Sequence, residues 1–311
     1  MKYLVGTRGS KLSLAQTNWV ISELKKKNSE IEFEIKTIKT KGDTDARPLF
    51  TINQKGIFEK EIDRAVIGKT IDFAVHSLKD VPSDLPEGLI LASIPKREAV
   101  NDVFISSDGS TLESIKPGAV IGTSSLRRAV QISRKRSDVT VKPVRGNVES
   151  RIRKIGEGVY DAVVLAQAGI ARLKLDVKFT KLSISDFPPS PGQGALAVVA
   201  RKDDVNTVQM LKKIEDEKSR QAIEAERTLS KYVESGCRFP IGAYAQPDGQ
   251  SMRLTVTAYS VDGKRSIVVE KTASISEPEL LGNVTAKELE EKGIGNLALN
   301  WREKVREWNK K

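Results

Sequence analysis

The stretch "FAVHSLKDVPSDLP" holds the densest set of side chains able to do chemistry. Its apolar start, Phe73 to Val75, reads as a strand that delivers His76, Ser77, Lys79 and Asp80 to a C-terminal end, where ligands gather in open α/β sheets. A carboxylate flanked by cations at such an end can bind, and move protons on, a cationic or N–H-rich substrate. Lys79 and Asp80 are assigned to function on that ground, although the same pair could be only a salt bridge before a turn at Pro82. His76 receives the plainer reading, a half-buried residue at a strand end.

Three further places run from a strand into a helix through a Gly/Ser/Thr/Arg-rich turn: "GTRGS" (6–10), "GTSSLRR" (122–128) and "RGNVESR" (145–151). A helix start offers unpaired N–H groups and the positive end of its dipole, so hydroxyls and arginines there suit carboxylate or phosphate. The planar fork of arginine holds both oxygens of a carboxylate, which favours that anion. Ser10 or Ser124 could equally be an ordinary N-cap. Arg134, Lys135 and Arg136 read as a solvated helix face.

The whole chain carries 52 Lys+Arg against 41 Asp+Glu, a net +11. Residues 121–155 hold ten basic and two acidic side chains, a local excess of +8, so most of the net charge sits in about one ninth of the sequence. Aromatics are 5% and no nucleic-acid motif occurs, so a nucleic-acid-binding protein is kept only as an alternative. A non-catalytic two-lobe anion-binding protein is a second alternative; it would need neither the Lys79-Asp80 pair nor Cys237. A single cysteine and a single histidine exclude an intramolecular disulfide and make a zinc cluster implausible. The start "MKYLVGTRGSK" has no apolar signal region and no run is long enough to span a membrane, so the expected address is cytoplasmic, with no membrane partner.

The elements that must hold these residues alternate. "KYLVG" and "IEFEIKTI" read as strands, and between them Leu14, Ile21 and Leu24 share one helical face closed by lysines. "GIFEKEIDRAVIG" has helical spacing through Phe58, Ile62 and Val66, with Gly68 as its stop. "IDFAVHS", "AVIGTSS", "VTVKPVRG" and "YDAVVLAQ" add strands, which argues for α/β layers with largely parallel sheets. Pro- and charge-rich stretches at 93–102 and 185–195 read as two crossings between lobes, a hinge. After a polar helix, "RLTVTAYSV" and "RSIVVEKTA" form a hairpin through Asp262-Gly263. The expected fold class is α/β: two hinged, doubly wound lobes of periplasmic-binding-protein type plus a smaller α+β C-terminal domain. The expected domains are 1–96 with 194–215, 97–193, and 216–311.

Seven motifs, "GTRGSKLSLAQT", "KGIFEKEID", "AVHSLKDVPSDLP", "GTSSLRRAVQ", "RGNVESRI", "PGQGALAV" and "GCRFPIGAYA", stand in the order and spacing of the porphobilinogen deaminase family, which the chain resembles from about residue 4 to about residue 265. That resemblance implies a transferase of tetrapyrrole (heme) biosynthesis that joins four porphobilinogen molecules head to tail with loss of ammonia and releases hydroxymethylbilane. It implies a dipyrromethane cofactor held by a thioether at Cys237, where Arg238 could favour the thiolate that attacks an electrophilic methylene. Each ring of the growing polypyrrole chain carries an acetate and a propionate, which gives the basic segment a purpose. By the same resemblance Asp80 is catalytic, and Lys79, Ser125, Arg127, Arg128 and Gly146 bind the cofactor. Arg8, Ser10, Arg145, Arg151 and Arg172 bind substrate, and Lys55 and Phe58 belong to a loop over the cleft. No metal, no nucleic acid and a monomer are expected. Lys60 is left outside the site. Ser235-Gly236 stands where relatives commonly have two glycines.

Overall fold

The computed structural model describes residues 2–44, 59–233, 240–298 and 303. The chain first lays down β1 (Lys2–Thr7), α1 (Lys11–Lys27), β2 (Glu32–Thr37), α2 (Lys41–Thr44), α3 (Lys60–Ile67), β3 (Phe73–Ser77), a 3-10 turn (Leu78–Asp80) and β4 (Leu89–Ser93). It crosses to a second lobe of β5 (Asp102–Ser106), β6 (Val120–Gly122), α4 (Leu126–Lys135), β7 (Thr140–Lys142), α5 (Val148–Gly156), β8 (Ala162–Ala166), α6 (Gln167–Leu173) and β9 (Thr180–Lys181). It returns through β10 (Leu196–Arg201) and α7 (Val205–Lys212). A third unit follows, with α8 (Glu217–Tyr232), β11 (Ile241–Asp248), β12 (Ser251–Tyr259), β13 (Ser266–Ser274), α9 (Pro278–Glu291) and α10 (Ile294–Ala298).

The first sheet has the order β2-β1-β3-β10-β4 and the second β7-β6-β8-β5-β9. β10 is antiparallel to both its neighbours, and so is β5. Each lobe therefore has one strand running against the other four, where the alternation of elements predicts largely parallel sheets. The reason is the crossings. β10 begins opposite Ser77 and β5 opposite Ala166, so each crossing delivers the chain to the C-terminal edge of the receiving sheet, from which it can only run backwards.

Period-two alternation divides the first lobe into two cores. Phe73 and Val75 pack with Val5, Val20 and Leu24 on one face, and Ala74 packs with Ile62, Val66 and Leu78 on the other. α1 buries Gln16, Thr17, Val20 and Leu24 rather than the stripe through Leu14 and Ile21. Gln16 goes inward because its Nε2 donates to Ser77 Oγ at 2.8 Å beside the turn that carries Lys79 and Asp80.

The crossings lie against each other. Glu98 N donates to Gly194 O (3.1 Å), Arg97 Nε to Gln193 O (2.8 Å) and Gln193 Nε2 to Val100 O (2.7 Å). Gly194 has φ +87°, and a Cβ there would stand 2.4 Å from Glu98 O, so the contact requires glycine. The fully buried carboxylate of Glu226 on α8 accepts from both terminal nitrogens of Arg97 (2.7 and 3.0 Å), from Gly192 N (2.7 Å) and from Ala245 N (2.9 Å). One carboxylate thereby joins both crossings to the third unit.

The third unit is an antiparallel meander, β11-β12-β13, with the expected hairpin at Asp262-Gly263. Its Tyr259 packs on Leu126 and Val130 of α4, and Arg134 donates to Gly263 O and, at 3.2 Å, to Ser266 Oγ. The basic face of α4 is exposed at Arg134 and Lys135, as its sequence suggests, but its cations have partners within the chain. Lys135 pairs with Asp186 at 2.9 Å, and Arg136 donates to the carbonyls of Leu112, Glu113 and Ile115. Among the described residues no helix is long and apolar enough to cross a membrane.

Candidate active site

The C-terminal ends of β1, β3, β6 and β7 carry the turns and helix starts singled out in the sequence. β3 ends at Ser77 and tightens into the 3-10 turn, held by Leu78 N donating to Ala195 O and Val81 N to Leu78 O, both at 3.0 Å. The turn leaves Lys79 and Asp80 half-buried. Burial, then the charge of Arg128, pushes the Lys79 ammonium down to about 8, with Asp80 and Asp102 opposing the shift. His76, just behind, is 6% exposed, and its Nε2 lies 4.0 Å from Asp63 Oδ1. Burial and the charge of Arg8 push His76 down to about 4, and burial pushes Asp63 up to about 6, so the histidine is neutral near pH 7. It is more deeply buried than its sequence position suggests.

All three junctions are capped by side chains. Ser10 Oγ accepts from Ser13 N (3.2 Å) at the start of α1, Ser125 Oγ from Arg128 N (3.5 Å) at α4, and Asn147 Oδ1 from Ser150 N (2.8 Å) at α5. Ser124 is not the cap; its hydroxyl donates to Val144 O, tying the second junction to the third. Gly146 sits at φ +112°, where a Cβ would meet Ser150 Oγ at 2.0 Å, and its carbonyl accepts from Arg151 Nε at 2.8 Å. Burial, then Arg128 and Arg145, lowers the Arg151 guanidinium to about 10, with Asp80 opposing. Asp80 from the first lobe therefore lies in the field of cations from both lobes. Arg172 on α6 donates to Gly194 O at 2.6 Å and is lowered to about 10 by burial.

Arg127 and Arg128 lie deeper than their position after a turn implies, at 5% and 6% exposed. Asp102, fully buried at the start of β5, accepts from Arg127 Nη2 (2.8 Å) on one oxygen, and on the other from Arg128 Nη2 (2.7 Å) and Gln193 Nε2 (2.8 Å). Arg127 Nη1 is also committed, to Pro188 O and Gln131 Oε1, both at 2.8 Å. Burial alone would raise the Asp102 carboxyl, but the two guanidinium groups hold it well below the usual carboxylate range. Sequence reasoning missed Asp102 and Gln193. The available signal was a lone acid heading an apolar strand, which needs a buried cation to be tolerated.

Arg128 thus disfavours the charge of both Lys79 and Arg151, and Arg145 that of Arg151. The Nε atoms of Arg127 and Arg128 are buried without a hydrogen-bond partner. Cations in this state fit a polycarboxylate, whose oxygens would relieve the repulsion. Lys55, Phe58 and Cys237 lie outside the described residues.

Residues 3–209 match the family model described as porphobilinogen deaminase, dipyromethane cofactor binding domain, and residues 220–291 match the porphobilinogen deaminase C-terminal domain. The chain is 69% identical over 310 residues, covering 100% of both chains, to a probable porphobilinogen deaminase of Nitrosopumilus maritimus (strain SCM1). It is 44% identical to the porphobilinogen deaminase of Desulforudis audaxviator (strain MP104C), covering 94% of this chain and 96% of that one. Among solved structures, the substrate binding domain of a putative molybdenum ABC transporter from Clostridium difficile is a distant likeness. It has 12% identity and a TM-score of 0.45, over 71% of this chain and 94% of that one.

Proposed function

The chain belongs to the porphobilinogen deaminase family, and on that premise we propose that it joins four porphobilinogen molecules head to tail, releasing ammonia at each step and hydroxymethylbilane at the end. The observation that carries this reading is that Asp80 lies in the field of Lys79 and Arg151, cations of opposite lobes that burial and neighbouring arginines push down despite the acids beside them. A neutral or cationic ligand would leave that repulsion unrelieved; an acetate- and propionate-bearing pyrrole relieves it.

The cofactor is dipyrromethane, and Cys237 anchors it through a thioether. When bound, it supplies the pyrrole carbon at which the first unit is attached. Lys79, Arg128, the Ser125 hydroxyl and the backbone at Gly146 bind its carboxylates, and Arg127 contributes through the buried brace that fixes α4. Arg8, Arg145, Arg151 and Arg172 hold the carboxylates of the incoming porphobilinogen, with Ser10 ordering the first helix start. Asp80 accepts hydrogen bonds from the substrate pyrrole N–H and stabilises the positive charge that develops as the aminomethyl group departs as ammonia. It then takes up and returns the proton displaced when the new carbon–carbon bond forms. Lys55 and Phe58 shield the cleft from water.

The protein acts as a cytoplasmic monomer without nucleic-acid or membrane partners. The pairing of Arg134, Lys135 and Arg136 with groups of the chain itself supports the absence of a nucleic-acid partner, because each of these cations already has a contact to give up. The test is Asp80→Ala. Purified and folded, it is expected to lose nearly all porphobilinogen consumption, by a factor of about 10² or more for the lost electrostatic contact. Near-normal turnover would refute the role.

A further inference from the structure

The turn that carries Asp80 packs against α8, a helix outside both lobes, through the residues on either side of it. Ile223, Arg227 and Lys231 are spaced four apart and so share one face of α8. Ile223 packs in the same core as Leu78 and Val81, which bracket Lys79 and Asp80. One turn further on, Arg227 Nη2 donates to Pro82 O (2.9 Å) and Ser83 O (2.7 Å), the carbonyls two and three residues past Asp80. After another turn, Lys231 meets Asp84 at 2.7 Å, but both side chains are mostly exposed and such a pair contributes little. The guanidinium of Arg227 is lowered by burial, so its contact with the two carbonyls is sheltered from water. The helix ends at Tyr232, and five residues on in sequence comes Cys237.

We propose that Arg227 is a positioning residue for the reaction: by gripping the Pro82 and Ser83 carbonyls it fixes where Asp80 stands relative to the helix end that leads to the cofactor cysteine. This rests on the reading of Asp80 as catalytic and Cys237 as the anchor. Nothing in the sequence marks Arg227, which lies within a polar helix among other charged residues. Its effect is on geometry: without the grip the turn retains its apolar packing through Leu78 but loses the polar restraint on its far side, and a displacement near 1 Å is enough to cost about 10²-fold in rate.

The test compares wild type, Arg227→Met, Arg227→Lys and Lys231→Ala as purified full-length proteins. Cofactor load is read by intact mass, and kcat and KM for porphobilinogen consumption are expressed per loaded molecule. Arg227→Met is expected to carry cofactor and show kcat about 10- to 100-fold below wild type with KM within about threefold. Arg227→Lys, whose single ammonium cannot hold both carbonyls as the fork does, should fall between the two. Lys231→Ala should match wild type. A merely structural role lowers the folded or loaded fraction and leaves kcat per loaded molecule unchanged, so an Arg227→Met value within about twofold of wild type overturns the proposal. Should that variant not fold, Arg227→Lys decides: an intermediate kcat supports the proposal and a wild-type kcat overturns it. If wild type itself gains no two-pyrrole mass and consumes no porphobilinogen, the functional reading fails and the proposal falls with it.

Discussion

Asp102 and Arg128 meet at 2.7 Å between the start of one strand and the first turn of one helix, in a place that water does not reach. The other oxygen of Asp102 holds Arg127, and Gln193 from the returning crossing completes the set. Two arginines assigned to the cofactor are oriented by one buried anion.

Asp102→Ala should therefore be severe. It leaves two buried guanidinium groups without their counter-charge, a change that costs about 3–5 kcal/mol. The expected outcome is a lower unfolding midpoint together with loss of the cofactor mass. A variant that unfolds and loads like wild type would show that Arg127 and Arg128 are held by other means.

Glu226→Gln tests the joint between the crossings and the third unit. The carboxylate takes four hydrogen bonds, two of them from Arg97. An amide can accept on one atom only and presents its own donors to N–H groups, so denaturant unfolding should shift down by about 3 kcal/mol or more. An unchanged midpoint would mean that the crossings are held by their mutual backbone bonds alone.

Lys79 gives a pH signature whose sign is fixed. Its pKa falls from 10.5 in the unfolded chain to about 8 in the folded one, so below pH 8 its charge is a cost to the folded state. That cost is relieved as pH rises from about 8 to above 10.5, where the unfolded chain holds more protons. In a Cys237→Ser background, Lys79→Met should raise the melting temperature near pH 7, and the gain should disappear above pH 10.5. A gain independent of pH would assign the effect to packing rather than charge.

The parts of the fold that could be read in the sequence were those written in local pattern. The strand before His76 is a short apolar run, and the helix start at Ser10 carries its own cap. The two Pro-rich stretches do cross between sheets. Strand direction was not legible, because an apolar run such as Leu196–Arg201 has the same composition whichever way it is threaded. Nor were the long-range partners. Arg134 looks like any exposed arginine until Gly263 is seen beside it, and Arg127 looks like a cleft residue until Asp102 and Pro188 claim its terminal nitrogens. The candidate site was legible in its residue types, while the brace behind it depends on residues from crossings that no periodicity brings together.

The proposed function requires a two-pyrrole cofactor on Cys237, held by the cationic group around Asp80. Intact mass measures it directly, on wild type and Cys237→Ser, each as purified and after incubation with porphobilinogen. The expected result is an excess of two linked pyrroles on wild type, present at once or gained on incubation, and none on Cys237→Ser under either condition. An unmodified wild-type mass after incubation, or the same excess on Cys237→Ser, would contradict it.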